Sequence, residues 1–261
     1  MNDDIIELHR EVSGEGAPLV LLHGLYGSGA NWRRYARRWS RDHRVIVPDL
    51  RNHGRSPHSG RMDYPAMAAD VARMLEAETE GPAVVLGHSM GGKVAMALAL
   101  TRPALVRGLI VADIAPVAYA DNDHDAIIAA MQAVELADVG SRSDADRQLA
   151  ARIDSQAIRQ FLLTNLERAD GGWDWRLPLA ILRRALPDIL GWPALDGRWD
   201  GPALFVHGGR SPYVDDDGRR AIAGYFPNHE VETLPEAGHW LHVEAPEAFT
   251  GAVEGYLADR L

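Results

Sequence analysis

The pentapeptide Gly87-His88-Ser89-Met90-Gly91 lies between a short apolar run, residues 83–86, and a helix-forming segment, residues 93–100. A serine flanked by small residues at a strand-to-helix turn is a nucleophile elbow, in which the backbone turns so sharply that the Oγ stands in open space. Gly87 and Gly91 are the small residues that let strand and helix approach. The helix that follows aims its N-terminal amides and positive dipole end at the point where an oxyanion would form. The chemistry served by such an arrangement is nucleophilic acyl transfer.

A serine hydroxyl attacks only when a histidine takes its proton and a carboxylate orients that histidine. Of the eleven histidines, His239 is the best base, because Ala237-Gly238-His239-Trp240 follows the last apolar run and a loop there can reach over Ser89. His242, beside the helix start Glu244-Ala245-Pro246-Glu247, reads as structural. After an elbow of this kind the partners follow in the order acid, then base. The acid is expected after the penultimate strand, where the chain reads Gly208-Gly209-Arg210-Ser211-Pro212-Tyr213, with serine in the acid's place. A neutral hydroxyl cannot carry the charge that stabilises an imidazolium. Asp113, one strand earlier, and the run Asp215-Asp216-Asp217 are the alternatives. The run reads as the acidic cap of a helix continuing through Arg219 to Tyr225, so Asp113 is taken as the acid.

Two backbone N–H groups must also point at the carbonyl oxygen. Met90, the residue after the nucleophile, supplies one. The loop His23-Gly24-Leu25-Tyr26-Gly27-Ser28 supplies the other through Leu25, its glycines letting the backbone turn inward. His23 fixes that loop by hydrogen bonding. The polar segment Asp49-Leu50-Arg51-Asn52-His53-Gly54-Arg55-Ser56 reads as a hydrogen-bonded turn beside the site. No phosphate-cradling glycine motif and no His-Glu-x-x-His is present, so neither a metal nor a nucleotide cofactor is implied.

These residues need a scaffold that brings strand ends together. Apolar runs at 19–22, 45–47, 83–86, 109–112, 203–206 and 231–234 alternate with helical patterns, the sign of βαβ units and a mainly parallel, buried sheet. Residues 5–12 alternate more and read as an antiparallel edge. The chemistry-bearing residues collect where the runs end, and in an open α/β sheet the site lies at the carboxyl ends of the strands. Between Asp113 and Ala203 no convincing strand is found, and residues 126–134, 145–153, 156–166 and 177–190 have helical spacing. The reading is a core of residues 1–116 and 199–261, with residues 117–198 inserted as a helical cap over the strand ends. Trp173, Trp175, Leu177 and Leu179 either offer an apolar acyl pocket or pack the cap onto the core.

The length of 261 residues suits one large domain with an insertion. A net charge of -10 argues against a nucleic-acid or anionic-membrane binder, and the absence of cysteine removes disulfide and thiolate chemistry. Residues 1–6 do not read as a secretory signal and no apolar run has the length of a membrane span, so a cytoplasmic location is expected. The expected partner is a small-molecule substrate; oligomeric state is not legible. Lys93 is the sole lysine, which reads as a compositional bias toward arginine.

From His23-Gly24 to Gly238-His239 the chain resembles the α/β-hydrolase superfamily. Within it, Asp49 to His58, Gly87 to Lys93, Ala112-Asp113-Ile114-Ala115-Pro116-Val117 and Gly208 to Val214 are similar to the YbfF-type esterases. The elbow is shared by many hydrolases, whereas the Asp-Ile-x-Pro-Val and Ser-Pro-Tyr-Val segments are more specific. The resemblance implies an α/β-hydrolase fold whose cap follows the sixth strand, with the acid on the same strand end, which again points to Asp113. It further implies a serine carboxylesterase acting on short- to medium-chain acyl esters or thioesters through an acyl-enzyme. Arg210 departs from the asparagine that the resemblance implies. Other reactions on the same three residues are carbon–carbon hydrolysis, lactone opening and perhydrolysis, and a different class is a ligand-binding homologue without turnover.

Overall fold

The computed structural model of the chain describes residues 5–120, 123–169 and 171–260. Residues 1–4, which were read above for a leader, lie outside them.

Nine strands and ten α-helices are found among the described residues. The first half runs β1 (Arg10–Ser13), β2 (Ala17–Leu22), α1 (Arg33–Trp39), β3 (His43–Pro48), α2 (Tyr64–Glu78), β4 (Ala83–His88), α3 (Met90–Thr101) and β5 (Val106–Ala112). After the intervening segment the pattern resumes with β8 (Ala203–Gly208), α8 (Asp216–Tyr225), β9 (His229–Leu234), α9 (Leu241–Glu244) and α10 (Pro246–Arg260). Seven of these strands form one sheet in the order β1-β3-β2-β4-β5-β8-β9. Only β1 is antiparallel, along β3, as the alternation at the N-terminal edge suggests.

The period of two along each strand decides how the layers form. Leu19 and Leu21 face Trp32, Tyr35 and Trp39 near α1 and Phe249 and Val253 on α10. Val20 and Leu22 face the opposite layer, where Met67, Val71, Val94 and Leu98 of α2 and α3 pack. All four strand residues are fully buried, and each such side chain contributes about 1.5–3 kcal/mol relative to exposure. That two-sided burial is why the strands read as continuous apolar runs.

Sheet order also positions the site. The chain steps from β2 to β3 on one side and then to β4 on the other, and a crevice opens at such a reversal outside the carboxyl ends. The register makes those ends flush: Leu22 pairs with Gly87, His88 with Ala112, and Ala112 with Val206. Ser89 and Asp113 are therefore neighbours across the sheet edge. Asp113 follows the fifth described strand of this chain, not the sixth as the family resemblance implied.

Between β5 and β8 lie α4 (His124–Gln132), α5 (Arg142–Ala150), α6 (Gln156–Leu163), the strands β6 (Leu166–Ala169) and β7 (Gly172–Trp175), and α7 (Leu179–Leu190). The reading of this stretch as strand-free needs correction, because β6 and β7 pair as an antiparallel hairpin. Both strands are four residues long and carry charged side chains, too short for periodicity to register. The Asp-Gly pair at residues 170–171 is a turn signal in the sequence.

Candidate active site

Ser89 sits between β4 and α3 with φ 54° and ψ −120°, a conformation that an L-residue adopts only when its surroundings enforce it. The enforcement comes from backbone crowding. A Cβ on Gly87 would lie 2.1 Å from the Gly91 carbonyl oxygen, and one on Gly91 would lie 2.5 Å from that of Leu22. The Ser89 N–H is held by the Ala112 carbonyl at 3.0 Å, which ties the elbow to the next strand.

His239 Nε2 lies 3.1 Å from Ser89 Oγ, and His239 Nδ1 lies 2.7 Å from Asp113 Oδ2. With Nδ1–H donating to the carboxylate, Nε2 is left to accept the serine proton. Asp113 is fully buried, and like Ser89 it has a positive φ, 54°. Its other oxygen, Oδ1, accepts the Gly208 N–H at 2.9 Å. Ser211, which stands where a carboxylate was first expected, donates its hydroxyl to Asp113 Oδ2. Asp113 and Ser211 thus share one hydrogen-bonded cluster with His239. Asp215 lies elsewhere and caps α8, accepting the Gly218 N–H at 2.8 Å. Arg210 is exposed and pairs with Glu236, so the departure there falls on the surface.

The loop carrying His239 is braced by groups that sequence reading did not single out for this role. Glu244 accepts the Gly238 N–H at 2.7 Å and the Trp240 N–H at 3.1 Å, while His88 Nε2–H donates to the His239 carbonyl at 2.8 Å. Tyr213 stacks on the His239 ring, with centroids 4.2 Å apart. A glutamate six residues beyond Gly238 could have been flagged as a loop cap, but nothing local announces His88 or Tyr213. Burial holds the imidazole of His88 well below its usual pKa, helped by the neighbouring His242 and His239, so His88 stays neutral. His242 packs against Trp32, His88 and Phe249, as its structural reading required, and burial pushes it down to about 4.

Leu25 and Met90 flank Ser89. Met90 is the first residue of α3, so its N–H has no acceptor in the helix's own ladder. The Leu25 loop comes close to the elbow, for a Cβ on Gly24 would lie 3.3 Å from Ser89 Cβ. Four histidine and asparagine contacts set its shape. His23 Nδ1–H donates to the Gly24 carbonyl and Nε2 accepts the Leu50 N–H, at 2.8 and 3.0 Å. His53 Nε2 accepts the Tyr26 N–H at 3.2 Å, and Asn165 Nδ2 donates to the Tyr26 carbonyl at 2.8 Å. Burial pushes His53 down to about 3, which keeps Nε2 an acceptor. The 49–56 segment is the hydrogen-bonded turn expected: Asp49 accepts the Gly29 and Arg55 N–H groups, and buried Arg51 forms a two-pronged pair with Asp70.

A cavity of about 400 Å³ opens in front of Ser89, with Tyr26, Ile127, Ile158, Phe161 and Trp240 among its walls. Trp173, Trp175, Leu177 and Leu179 are not among them. Trp175 is buried and donates to the Met131 carbonyl at 3.0 Å, and Trp173 lies 4.3 Å beneath the Arg168 guanidinium. Their packing role therefore prevails over the acyl-pocket role. No helix among the described residues is long and apolar enough to cross a membrane.

A mostly parallel sheet that presents a serine on a strand-to-helix elbow, in contact with a histidine from a later loop, is the framework of a serine hydrolase. The chain belongs to the alpha/beta hydrolase fold family, whose pattern matches residues 17–246. It is 42% identical over 247 residues to the mouse sn-1-specific diacylglycerol lipase ABHD11, covering 92% of this chain and 80% of the relative. To Escherichia coli esterase YbfF it is 40% identical over 243 residues, covering 93% and 94%. A solved marine microorganism esterase superposes with a TM-score of 0.93 at 37% identity, over 96% of this chain and 99% of the other. The likeness to YbfF-type esterases read from the sequence is borne out.

Proposed function

We propose that the protein is a serine carboxylesterase that hydrolyses short- to medium-chain acyl esters or thioesters through an acyl-enzyme at Ser89. The observation that carries this reading is the hydrogen-bonded series Ser89 Oγ, His239, Asp113, at 3.1 and 2.7 Å. His239 takes the serine proton as Oγ attacks the carbonyl carbon. The Leu25 and Met90 amides receive the charge that develops on the carbonyl oxygen. His239 then gives its proton to the departing alcohol or thiol, and in the second half it activates the water that releases the acid. Asp113 holds the imidazole in the tautomer that these transfers need. Residues 117–198 act as the cap, since α4 and α6 contribute Ile127, Ile158 and Phe161 to the cavity over Ser89. The substrate in this reading is a small molecule met in the cytoplasm. Ser89→Ala should abolish turnover of a p-nitrophenyl ester while leaving thermal unfolding unchanged; retained turnover overturns the assignment.

A further inference from the structure

Two cavities meet at Ser89, and they differ in the groups they reach. The larger, about 400 Å³, has His239 in its wall. The smaller, about 30 Å³, is lined by Leu25, Met90, Lys93, Ile114, Tyr119 and Ile189 among others, and His239 is not part of it. In the first half-reaction the bond between Ser89 Oγ and the carbonyl carbon forms, and the bond from that carbon to the leaving oxygen or sulfur breaks. The proton that His239 took from Ser89 goes to the leaving atom. That atom must lie on the side of His239, which leaves the acyl chain a direction away from the imidazole while the carbonyl oxygen turns to the Leu25 and Met90 amides.

We propose that the small cavity is the acyl subsite, sized for a short chain, and that the large cavity receives an apolar leaving group. The proposal rests on acyl transfer at Ser89 and specifies its substrate: an ester of a short acid with a bulky apolar alcohol or thiol. The size follows from the space. At about 30 Å³ the small cavity has less than a tenth of the volume of the larger one, about 400 Å³.

The far end of the small cavity is cross-braced and cannot simply widen. Lys93 lies one turn along α3 from the elbow, and its ammonium donates to the carbonyls of Leu190 and Gly191 at 3.1 and 2.6 Å. The same ammonium sits 4.7 Å from the centre of the Tyr119 ring. The Tyr119 N–H donates to Leu190 at 2.9 Å, and the Tyr64 hydroxyl donates to the Ile189 carbonyl. A longer chain would have to part buried hydrogen bonds that fix the end of α7 to the nucleophile helix. The single lysine, read from the sequence as compositional, is part of this brace.

The test is a pair of kcat/KM series on the intact protein. With p-nitrophenol as leaving group, the acyl chain is lengthened from acetyl to octanoyl; with acetyl fixed, the alcohol is lengthened from ethyl to octyl. The expected result is a fall of tenfold or more between propionyl and hexanoyl, and a rise along the acetates. Ile189→Ala should raise the hexanoyl-to-acetyl ratio at least tenfold, and Ile114→Ala provides the same readout should the first variant fail to fold. A rate that climbs with acyl length in the wild-type protein overturns the assignment, as does an unchanged ratio in a folded variant. If acetyl esters are turned over with the reverse length preference, only the subsite assignment falls. If no ester is turned over, or Ser89→Ala is as active, the acyl-transfer reading falls with it.

Discussion

Asp113→Asn isolates the carboxylate without changing its shape, and the structure lets the loss be worked out. The carboxylate receives the Gly208 N–H on Oδ1 and both the His239 N–H and the Ser211 hydroxyl on Oδ2. An asparagine can place its oxygen toward His239 only by turning its NH₂ against the Gly208 N–H, two donors facing each other in a fully buried setting. In the opposite orientation the NH₂ faces His239 Nδ1, and the imidazole must carry its proton on Nε2. It can then no longer accept from Ser89. The second orientation avoids the buried clash between donors and is the one adopted, so the base is lost and the expected fall in kcat/KM is on the order of 10⁴, or about 5 kcal/mol of transition-state stabilisation. The assay is steady-state hydrolysis of p-nitrophenyl acetate, with thermal unfolding to show that the fold persists. Asp215→Asn is the matched control, since loss of part of a helix cap costs up to about 1 kcal/mol of stability and leaves turnover within about twofold. Asp113→Asn within tenfold of wild type, or an equal loss at Asp215, refutes the reasoning.

Ser211→Ala removes one of the donors to Asp113 but leaves the two N–H groups, so kcat/KM should fall by no more than about tenfold. A loss matching Asp113→Asn in the same assay would show that the hydroxyl, and not the carboxylate, governs His239. Gly91→Ala would bring a Cβ to 2.5 Å from the Leu22 carbonyl oxygen and 2.6 Å from that of His23. The expected cost is about 3 kcal/mol, seen as a drop in Tm of about 6–12 °C by calorimetry. Stability should fall in mild acid: burial pushes His53 down to about 3 and His242 down to about 4. In the unfolded chain both take up a proton below about pH 6.5, whereas the folded protein stays neutral there. Their contribution is present above pH 6.5 and is lost as pH falls toward 4, by about 1.4 kcal/mol per pH unit for each. Tm measured from pH 7.5 to 5 should decline, and His53→Gln should flatten the decline while lowering Tm at pH 7.5.

The residues that meet at the site were legible because their chemistry is bound to local pattern. Ser89 is marked by glycines that backbone crowding requires on both sides, and the strands are marked by the apolar continuity that burial on two faces demands. Asp113, which the fold sets against His239, drew attention because the Ser211 hydroxyl cannot carry a carboxylate's charge. What stayed hidden depends on distant packing. His53 and Asn165 brace the loop beside Ser89 over sequence separations that leave no local period. The tryptophans near residue 175 looked like pocket walls because composition records apolarity and not direction; the folded chain uses them to pack α4 against the β6–β7 hairpin. Lys93 carried no signal until the end of α7 was seen against its ammonium.

The most direct test of the central claim is labelling with a fluorophosphonate, which phosphonylates only a serine activated by a neighbouring base. One adduct per chain is expected, mapped by mass spectrometry to the peptide containing Ser89, with esterase activity lost in proportion. A protein that hydrolyses esters while Ser89 remains unlabelled, or that is inactivated by labelling at another residue, contradicts the account.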